Sequence, residues 1–520
     1  MTQNLAPPIP TLIPDNAPFS PAQRAWLNGF LAGLYGSAAT PQGTTVPLSN
    51  APPPPAEDFP WHDPALSLEE RQSLAAGRPL AQRLMAATAQ LDCGQCGYLC
   101  QSYTEALAEG REIATGLCVP GGKATQRLIK QLLAEAPKPA VTTPVPAAPA
   151  APSGRPVRVV AAHRLTAPGS AKDVRHVVID LEGSGLTYEP GDSIGLAAPN
   201  DPTLVEACIA ALNASGSGPV PCHDGKERPL REALTAYLDI ARPLDRTLDL
   251  LAMHATHPGQ AAMLRKLSDG DERAEPQDAD LLDLLTAFPS ARVTPAELAA
   301  SLPALRPRLY SVASSLHASP SAVHLCVRTV RDERRGRIRN GVASSFLADR
   351  ALDAGPVQAF VQTSHFRMPA DAAVPMIMVG PGTGIAPFRA FLAERATLGV
   401  KGRTWLFFGE QHEATDFLFR EELTGWLADG TLSRLDTAFS RDQRNKIYVQ
   451  HRMLENAVDL WRWLQQGAIF YVCGDANRMA KDVDAALRRI ARTEGALTEA
   501  QATDWIVALA RQGRYQRDIY

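Results

Sequence analysis

Apolar and polar residues follow different periods along this chain, and each period predicts a different kind of structure. After Ser20, which suits a helix N-cap, Trp26, Phe30 and Leu34 share one helical face. They predict a helix over residues 20–35 that docks on another domain or on a second subunit. Prolines dominate the rest of the first 60 residues, which predicts an extended tail around this helix.

The next 75 residues, 61–135, have the composition of a small compact domain, which we expect to be α-rich. Ser67 with Glu70 predicts a capping box, and an apolar run over Leu80–Leu91 predicts a helix. Seven prolines then occur within residues 136–156. Their density predicts a semi-rigid linker and the clearest domain boundary in the chain.

The spacing of apolar residues changes again after the linker. Short alternating segments predict strands, a mainly helical stretch occupies about 200–305, and strands resume at Arg308. From Met376 to the end, strand, glycine-rich turn and helix repeat, which predicts a parallel sheet with crossover helices.

Charge and composition exclude several classes of protein. Lys and Arg number 52 and Asp and Glu 55, a formal charge of −3, and no dense basic run appears, which argues against a nucleic-acid partner. No apolar stretch reaches the roughly 18–20 residues that cross a bilayer, and no signal peptide is recognisable. We therefore expect a cytoplasmic protein without a membrane anchor.

Candidate phosphate-binding groups follow two of the predicted strands. Gly380, Gly382 and Gly384 lie between a buried strand and a helix, a context that suits a pyrophosphate. Ser440 and Arg441 end another strand, with Lys446 just beyond. A hydroxyl and two cations there suit a phosphate, whereas an NAD site would favour an acidic residue for the ribose.

Residues 157–520 resemble the FAD/NADPH module of the ferredoxin–NADP reductase superfamily, and most closely its NADPH–sulfite reductase flavoprotein family. The segments that carry the resemblance are Tyr188–Asp192, Arg308–Ser311, Gly341–Ser344, Gly380–Phe388, Ser440–Arg441, Lys446–Gln450, Cys473–Asp482 and Arg514–Tyr520. It implies an antiparallel β-barrel FAD domain over 157–370 with the helical insert, and an α/β parallel-sheet NADP domain over 371–520. The helix over 20–35 is also similar to that family's amino-terminal segment.

The resemblance also implies roles for particular residues. FAD would be held by Arg308, Leu309, Tyr310, Ser311, Gly341, Val342, Ala343 and Ser344, with Tyr520 covering its ring. NADPH would be held by Gly380, Gly382, Thr383, Gly384, Ser440, Arg441, Lys446, Ile447, Tyr448, Val449, Gln450 and Asp482. The catalytic positions would be Ser311, Cys473 and Asp518, which orient the hydride donor against the flavin. Cys326, Arg328 and Asp332 depart from the family's adenosine-side residues.

Four cysteines, Cys93, Cys96, Cys100 and Cys118, cluster in the small domain. Four thiolates, with two close spacings that share Cys96 and a distant closing ligand, can hold zinc or an iron–sulfur cluster, and the neighbouring glycines favour a [4Fe–4S] cluster. The segment resembles the small [4Fe–4S] domain of the B subunit of Rnf-type electron-transport complexes, although its third cysteine comes one position early. Structural zinc and free thiols are the alternatives.

These elements predict an electron relay. Family members usually carry a flavodoxin-like FMN domain of about 150 residues; 61–135 is too short for that doubly wound fold, so FMN is not expected. NADPH would deliver electrons through FAD and the cluster to a haem-protein partner, first of all a sirohaem/[4Fe–4S] sulfite reductase subunit. The alternatives are a nitrate or nitrite reductase as acceptor, or a zinc-held interaction module beside a reductase of a diffusible acceptor.

Overall fold

The computed structural model of the chain describes residues 59–62, 66–91, 96, 98–135, 154–476 and 478–520. The predicted docking helix over 20–35, most of the predicted linker and Cys93 lie outside these residues. Among the residues described, no helix combines the length and apolar character that a membrane crossing needs.

The described residues of the small domain that precedes the linker form four helices. They are α1 (Leu68–Leu74), α2 (Leu80–Ala87), α3 (Cys100–Ala108) and α4 (Gly122–Glu135). Leu84 of α2, Tyr103 of α3 and Ile129 of α4 are buried in one apolar core. This part of the chain is therefore α-rich, as its sequence predicts.

Local hydrogen bonds set the ends of the first two helices. The predicted capping box is confirmed, because Ser67 and Glu70 each accept a hydrogen bond from the other's backbone N–H. The predicted helix from Leu80 ends at Ala87 and does not reach Leu91. Thr88 turns the backbone to an extended conformation, and its hydroxyl donates to the carbonyl of Met85 at 2.8 Å.

The middle of the chain alternates strands with a helical insert. Three strands come first: β1 (Arg155–Arg164), β2 (Val174–Asp180) and β3 (Ser193–Leu196). The insert contains α5 (Pro202–Ala211), β4 (Pro219–Pro221), β5 (Glu227–Pro229), α6 (Leu230–Ala236), α7 (Asp245–His254), α8 (Pro258–Ser268), α9 (Leu281–Ala287) and α10 (Pro295–Ser301). The strands resume with β6 (Arg308–Ser311), β7 (Ala322–Arg328), β8 (Arg331–Arg334), β9 (Arg337–Asn340), α11 (Val342–Asp349) and β10 (Val357–Gln362).

Six of these strands form an antiparallel sheet in the order β6-β3-β10-β1-β2-β7. An antiparallel bridge between Val312 and Leu325 joins the two edge strands, so the sheet closes on itself. Closure removes the unpaired edges that an open sheet exposes. The barrel that the resemblance implies is thus present, and the helical insert has its own apolar core beside it.

The remaining elements form the carboxy-terminal domain. They are β11 (Met376–Val379), a 3-10 turn (Gly382–Ile385), α12 (Ala386–Thr397), β12 (Thr404–Glu410), α13 (Glu413–Asp416), α14 (Arg420–Asp429), β13 (Arg434–Phe439), α15 (Val449–Glu455), α16 (Ala457–Gln465), β14 (Ile469–Gly474), α17 (Met479–Glu494), α18 (Glu499–Arg511) and β15 (Tyr515–Ile519). The five strands are all parallel, in the order β13-β12-β11-β14-β15. Every residue of β11 and β12 is buried, as expected for strands covered on both faces.

The barrel and the parallel-sheet domain share one apolar core. Val174, Cys326 and Phe366 from the barrel side are buried in the same cluster as Phe388 and Phe391 of α12. Phe366 stacks on Phe391 with ring centroids 5.7 Å apart. An apolar interface of this kind fixes two domains relative to each other, whereas a polar interface allows motion.

Charged and imidazole groups line the edge of this shared core. His176 of β2 and His324 of β7 lie 3.0 Å apart between Nε2 and Nδ1, and Arg389 of α12 contacts His324. Arg389 also pairs with Glu422 of α14 at 2.6 Å. Burial, aided by the Arg389 guanidinium, lowers the pKa of His176 to about 3 and that of His324 to about 4.

These low pKa values predict a loss of stability in mild acid. The unfolded chain binds protons on both imidazoles near pH 6.5, whereas the folded protein resists protonation until about pH 4. The free energy of unfolding should therefore fall as the pH decreases from 6.5 to 4. His324→Gln should flatten this dependence in chemical denaturation curves between pH 7 and 4.5.

His365→Gln is the matched control, since His365 is exposed. Its denaturation profile should follow that of the unmodified protein. Equal slopes for the His324 and His365 variants would contradict the assignment.

Candidate functional site

The three predicted catalytic residues meet where the barrel touches the parallel sheet. Ser311 is the last residue of β6, and Cys473 faces Asp518 across the neighbouring strands β14 and β15. The Ser311 hydroxyl donates to Oδ2 of Asp518 at 2.7 Å, and the Cys473 thiol lies 3.6 Å from the same oxygen. The tertiary fold thus places one hydroxyl, one thiol and one carboxyl in direct contact.

Burial controls the protonation of this group. It raises the pKa of the Asp518 carboxyl, and the hydrogen bonds from Ser311 and Cys473 act in the opposite direction. Burial and the nearby carboxylate raise the pKa of the Cys473 thiol well above its usual range. A thiol in this state is a hydrogen-bond donor and a poor nucleophile, so the cluster suits positioning better than covalent chemistry.

The terminal residue, Tyr520, reaches this junction at the end of β15. Its backbone N–H donates to the carbonyl of Gly474, and its carbonyl accepts from Ala476. Its hydroxyl lies 3.0 Å from Oγ1 of Thr383 on the glycine-rich turn. The residue is 42% exposed as a whole, while burial of its hydroxyl end raises the pKa of that group well above its usual range, so the aromatic ring is anchored at its tip beside the junction.

Two glycines of the turn are required by the protein's own packing. A Cβ at Gly384 would lie 2.1 Å from the Cys473 carbonyl oxygen, and one at Gly380 would lie 2.6 Å from the Gly384 carbonyl oxygen. Only Gly382 has a positive φ, +59°. The turn is therefore held against the end of β14, next to Cys473, which is a stronger constraint than ligand approach alone.

An ion pair that the sequence did not indicate also reaches the turn. The Lys172 ammonium of the barrel contacts both carboxylate oxygens of Glu410 at 2.7 Å. A Cβ at Gly382 would lie 3.3 Å from that carboxylate. The two residues are 238 positions apart, and no local pattern marks either of them.

The predicted FAD residues of the barrel line one half-buried strand. Arg308, Tyr310 and Ser311 lie on β6, which pairs with β3. Arg308 donates to the carbonyl of Arg306 and lies 3.5 Å from Asp239 of the insert. Burial raises the pKa of Tyr310. β6 therefore presents polar groups and an aromatic ring at the domain junction.

The start of α11 suits a phosphate. Gly341 occupies the N-cap position, no side chain caps the helix, and a Cβ at Gly341 would lie 2.6 Å from Oγ of Ser344. Backbone N–H groups at an uncapped helix start favour anions. The predicted residues Val342 and Ala343 contribute that backbone, since the Ala343 side chain is buried in the barrel core. These features fit the pyrophosphate of FAD.

Other positions singled out from the sequence have structural contacts. The Tyr188 hydroxyl lies 2.6 Å from that of Ser314, and Asp192 pairs with Arg367 at 2.5 Å. Cys326 is buried in the shared core, where burial raises its pKa to about 12. Asp332 is exposed on the β8–β9 hairpin.

The predicted 2′-phosphate residues follow β13. The backbone N–H groups of Ser440 and Arg441 donate to the carbonyls of Glu410 and Gln411, both at 2.8 Å. Arg441 and Lys446 are exposed, and neither forms an ion pair with another described residue. The neighbouring Asp442 accepts hydrogen bonds from the Glu413 N–H and from His412, which lower its pKa.

Further predicted NADPH positions lie around the start of α15. Tyr448 is the exposed N-cap residue, and the Gln450 amide donates to Asp482 of α17 at 3.1 Å. The structure thus joins Gln450 to Asp482, 32 positions away. Val449 is buried in the domain core and Ile447 packs against that core, so their side chains serve packing.

Three of the four clustered cysteines line one cavity in the small domain. Cys96, Cys100 and Cys118 share it with Tyr98 and Tyr103. Cys93 lies outside the described residues. Within the described ranges, no group of three or more His, Cys, Asp or Glu side chains has the geometry of a metal site. The structure therefore brings three of the four predicted ligands to one cavity.

The groups around Cys118 affect the pKa of its thiol and so its ability to bind a metal. Burial raises the pKa of its thiol, while the backbone N–H groups of Ala89 and Gly121 and the charge of Arg71 lower it. The Ala89 N–H lies 3.4 Å from the sulfur. Burial has the largest effect, so the pKa of the free thiol is raised overall, while the Ala89 N–H hydrogen bond is of the kind that a metal-bound thiolate accepts. These features of the donor set fit a metal or cluster.

Comparisons with known proteins identify the two large domains. Residues 154–346 match the FAD binding domain family, and residues 378–485 match the oxidoreductase NAD-binding domain family. The first range contains five of the six barrel strands and the insert, with β10 just beyond it, and the second contains the glycine-rich turn and the 2′-phosphate candidates. The chain therefore carries an antiparallel FAD-binding domain and a parallel-sheet NAD-binding domain.

The chain is also similar to sulfite reductase [NADPH] flavoprotein alpha-components. It is 44% identical over 361 residues to that of Bacillus subtilis, covering 68% of this chain and 59% of the relative. It is 43% identical over 358 residues to that of Klebsiella pneumoniae and 42% identical over 359 to that of Yersinia pestis, covering 69% of this chain and 59% and 58% of these relatives. The chain thus spans less than two thirds of the curated relatives it matches.

Proposed function

We propose that this chain oxidises NADPH and passes the electrons through FAD and a cysteine-bound [4Fe–4S] cluster to a haem-protein partner, a sulfite reductase subunit of the sirohaem type. The single observation that carries this proposal is the junction at which Ser311, Cys473 and Asp518 meet. It lies between a domain that matches FAD binding and a domain that matches NAD binding.

The residues at the junction would hold the nicotinamide against the flavin. Asp518 anchors the Ser311 hydroxyl and the Cys473 thiol by accepting from both, so their positions are fixed before a ligand enters. Tyr520 would cover the flavin ring from its anchor on Thr383 and move aside for nicotinamide. FAD, when bound, supplies the exchange between a hydride's electron pair and single electrons.

Unpaired cations support a preference for NADPH. Arg441 and Lys446 are exposed and form no ion pair among the described residues, whereas Asp442 is directed towards His412. A free guanidinium can bind the 2′-phosphate in a bidentate manner. Asp442, the acidic residue beside Arg441, is engaged by His412 and by the Glu413 N–H.

The small domain would replace an FMN domain as the one-electron carrier. Cys93, Cys96, Cys100 and Cys118 would hold the cluster, and the half-buried Cys96, Cys100 and Cys118 around one cavity support that assignment. The segment is too short for a flavodoxin-like fold, so FMN is not expected. The flavoprotein relatives support sulfite reductase as the partner.

Arg441→Ala tests the 2′-phosphate assignment. Removing a charge-assisted hydrogen bond should raise the KM for NADPH by about 10- to 100-fold, while the KM for NADH changes little. Steady-state reduction of ferricyanide with each coenzyme measures both constants.

Arg444→Ala is the matched control, because Arg444 is exposed on the same loop. It should retain the preference of the unmodified protein. A similar change with both coenzymes in the Arg441 variant would show that this side chain does not bind the 2′-phosphate.

Asp518→Asn tests the positioning group. Loss of the carboxylate weakens the anchor for Ser311 and Cys473, so the rate of flavin bleaching by NADPH should fall by about 10- to 100-fold with little change in KM. Anaerobic stopped-flow absorbance follows this step directly. Asp504→Asn, an exposed acid on α18, should leave the rate unchanged. Equal rates in the two variants would refute a role for Asp518.

Cys96→Ser tests the cluster. Protein purified without oxygen should contain iron and acid-labile sulfide, and the substitution should remove them. Transfer from NADPH to ferricyanide should persist, whereas transfer to the haem partner should be lost. Cys222→Ser, at a buried cysteine of the insert, should keep its iron. Zinc without sulfide in the unmodified protein would favour the interaction-module alternative.

A further inference from the structure

One face of α4 contacts the helical insert. Lys123, Gln126, Arg127 and Lys130 follow the spacing of a single helical face. Thr125, Ile129 and Leu132 lie on the opposite side and are buried within the small domain. The helix therefore uses its apolar side for its own core and its polar side for a contact with another domain.

Every residue of this polar face has a partner on the insert. Gln126 donates to Asp245 of α7 at 2.6 Å, and the Lys130 ammonium pairs with the same carboxylate. Lys130 also donates to the carbonyl of Ser268 at 3.3 Å. The two remaining contacts are Arg127 with Glu272 at 2.8 Å and Lys123 with Gln277.

This contact is polar and open to solvent. Arg127 and Glu272 are 53% and 73% exposed, and Lys130 is 43% exposed. Exposed ion pairs contribute little and are screened by salt. The contact is thus more polar than the interface that joins the barrel to the parallel sheet, although Asp245 is only 25% exposed and Leu91 adds one apolar contact with the parallel-sheet core. A largely polar interface of this kind permits domain motion.

In the docked position, a series of contacts leads from the cysteine cavity to the segment that precedes β6. Tyr98, which lines the cavity, donates to Glu112 at 3.2 Å, and Glu112 lies close enough to Arg246 of α7 to raise its pKa against the effect of burial. Arg246 donates to the carbonyl of Leu302 at 2.7 Å, six residues before β6 begins. Leu91, also on the cavity, packs against the core of the parallel-sheet domain.

We propose that the surface formed by Asp245, Ser268, Glu272 and Gln277 is a reversible docking surface for α4. It holds the cysteine domain beside the FAD strand to receive electrons, and it releases the domain towards the partner. The electron-transfer part rests on the proposed function; the docking part does not. Residues 136–153 join α4 to β1, and a chain of this length spans at most about 60 Å, which permits such an excursion.

A zero-length carbodiimide cross-link tests the docking on the full chain. It should couple Lys130 to Asp245 at low salt, as shown by peptide mass mapping, and the yield should fall about tenfold near 1 M NaCl, where screening is strong. Asp245→Lys should abolish the coupling and increase the radius of gyration in small-angle scattering. The double variant Lys130→Glu with Asp245→Lys should restore both measurements.

Asp353→Lys is the matched control, an exposed acid of the barrel domain. It should behave as the unmodified protein. An unchanged radius of gyration in Asp245→Lys, or a cross-link that persists at high salt, would overturn the docking surface.

Flavin-to-cluster transfer after photoreduction tests the role of docking separately. The rate should fall about tenfold in Asp245→Lys and recover in the charge-swapped double variant. Loss of docking with an unchanged rate would overturn the electron-receiving role. Absence of iron would overturn the proposed function, while the cross-link and scattering results would still decide the docking surface.

Discussion

The apolar interface between the barrel and the parallel sheet is the constraint on which the rest of the structure depends. Phe366 and Cys326 share a core with Phe388 and Phe391. At the edge of this core, Arg389 pairs with Glu422 and contacts the His324 ring. Because this core is closely packed, the two domains have one relative position. That position brings the end of β6 to the end of β15 and makes the contact between Ser311 and Asp518 possible.

The molecule combines this fixed interface with a weak one. Transfer of a hydride requires reacting groups held within a fraction of an ångström, which suits two domains joined by a shared core. A carrier of single electrons must reach an external partner, which suits a small domain held by exposed charges such as Arg127 and Glu272. The apolar interface thus suits hydride transfer, and the polar interface suits the transfer of single electrons to a partner.

The glycine-rich turn shows how far sequence reasoning reaches. Its glycines predict a close backbone approach, and the structure contains one, but the approaching group is the Cys473 carbonyl as well as any phosphate. The same applies to Tyr188–Asp192, whose polar residues bond within the protein. A motif specifies a backbone requirement, and the fold decides which neighbour imposes it.

The sequence by itself determined the order of the domains, the strand and helix periods, the α1 capping box and the clustering of cysteines. These features follow from the local spacing of apolar residues, which shows the face that each helix or strand buries. Only the tertiary structure decided that Ser311 contacts Asp518, 207 positions away, that Lys172 pairs with Glu410, and that α4 lies on the helical insert. A local hydrophobic period shows that one face of a helix or strand is buried. Packing of the whole chain determines which distant element buries it.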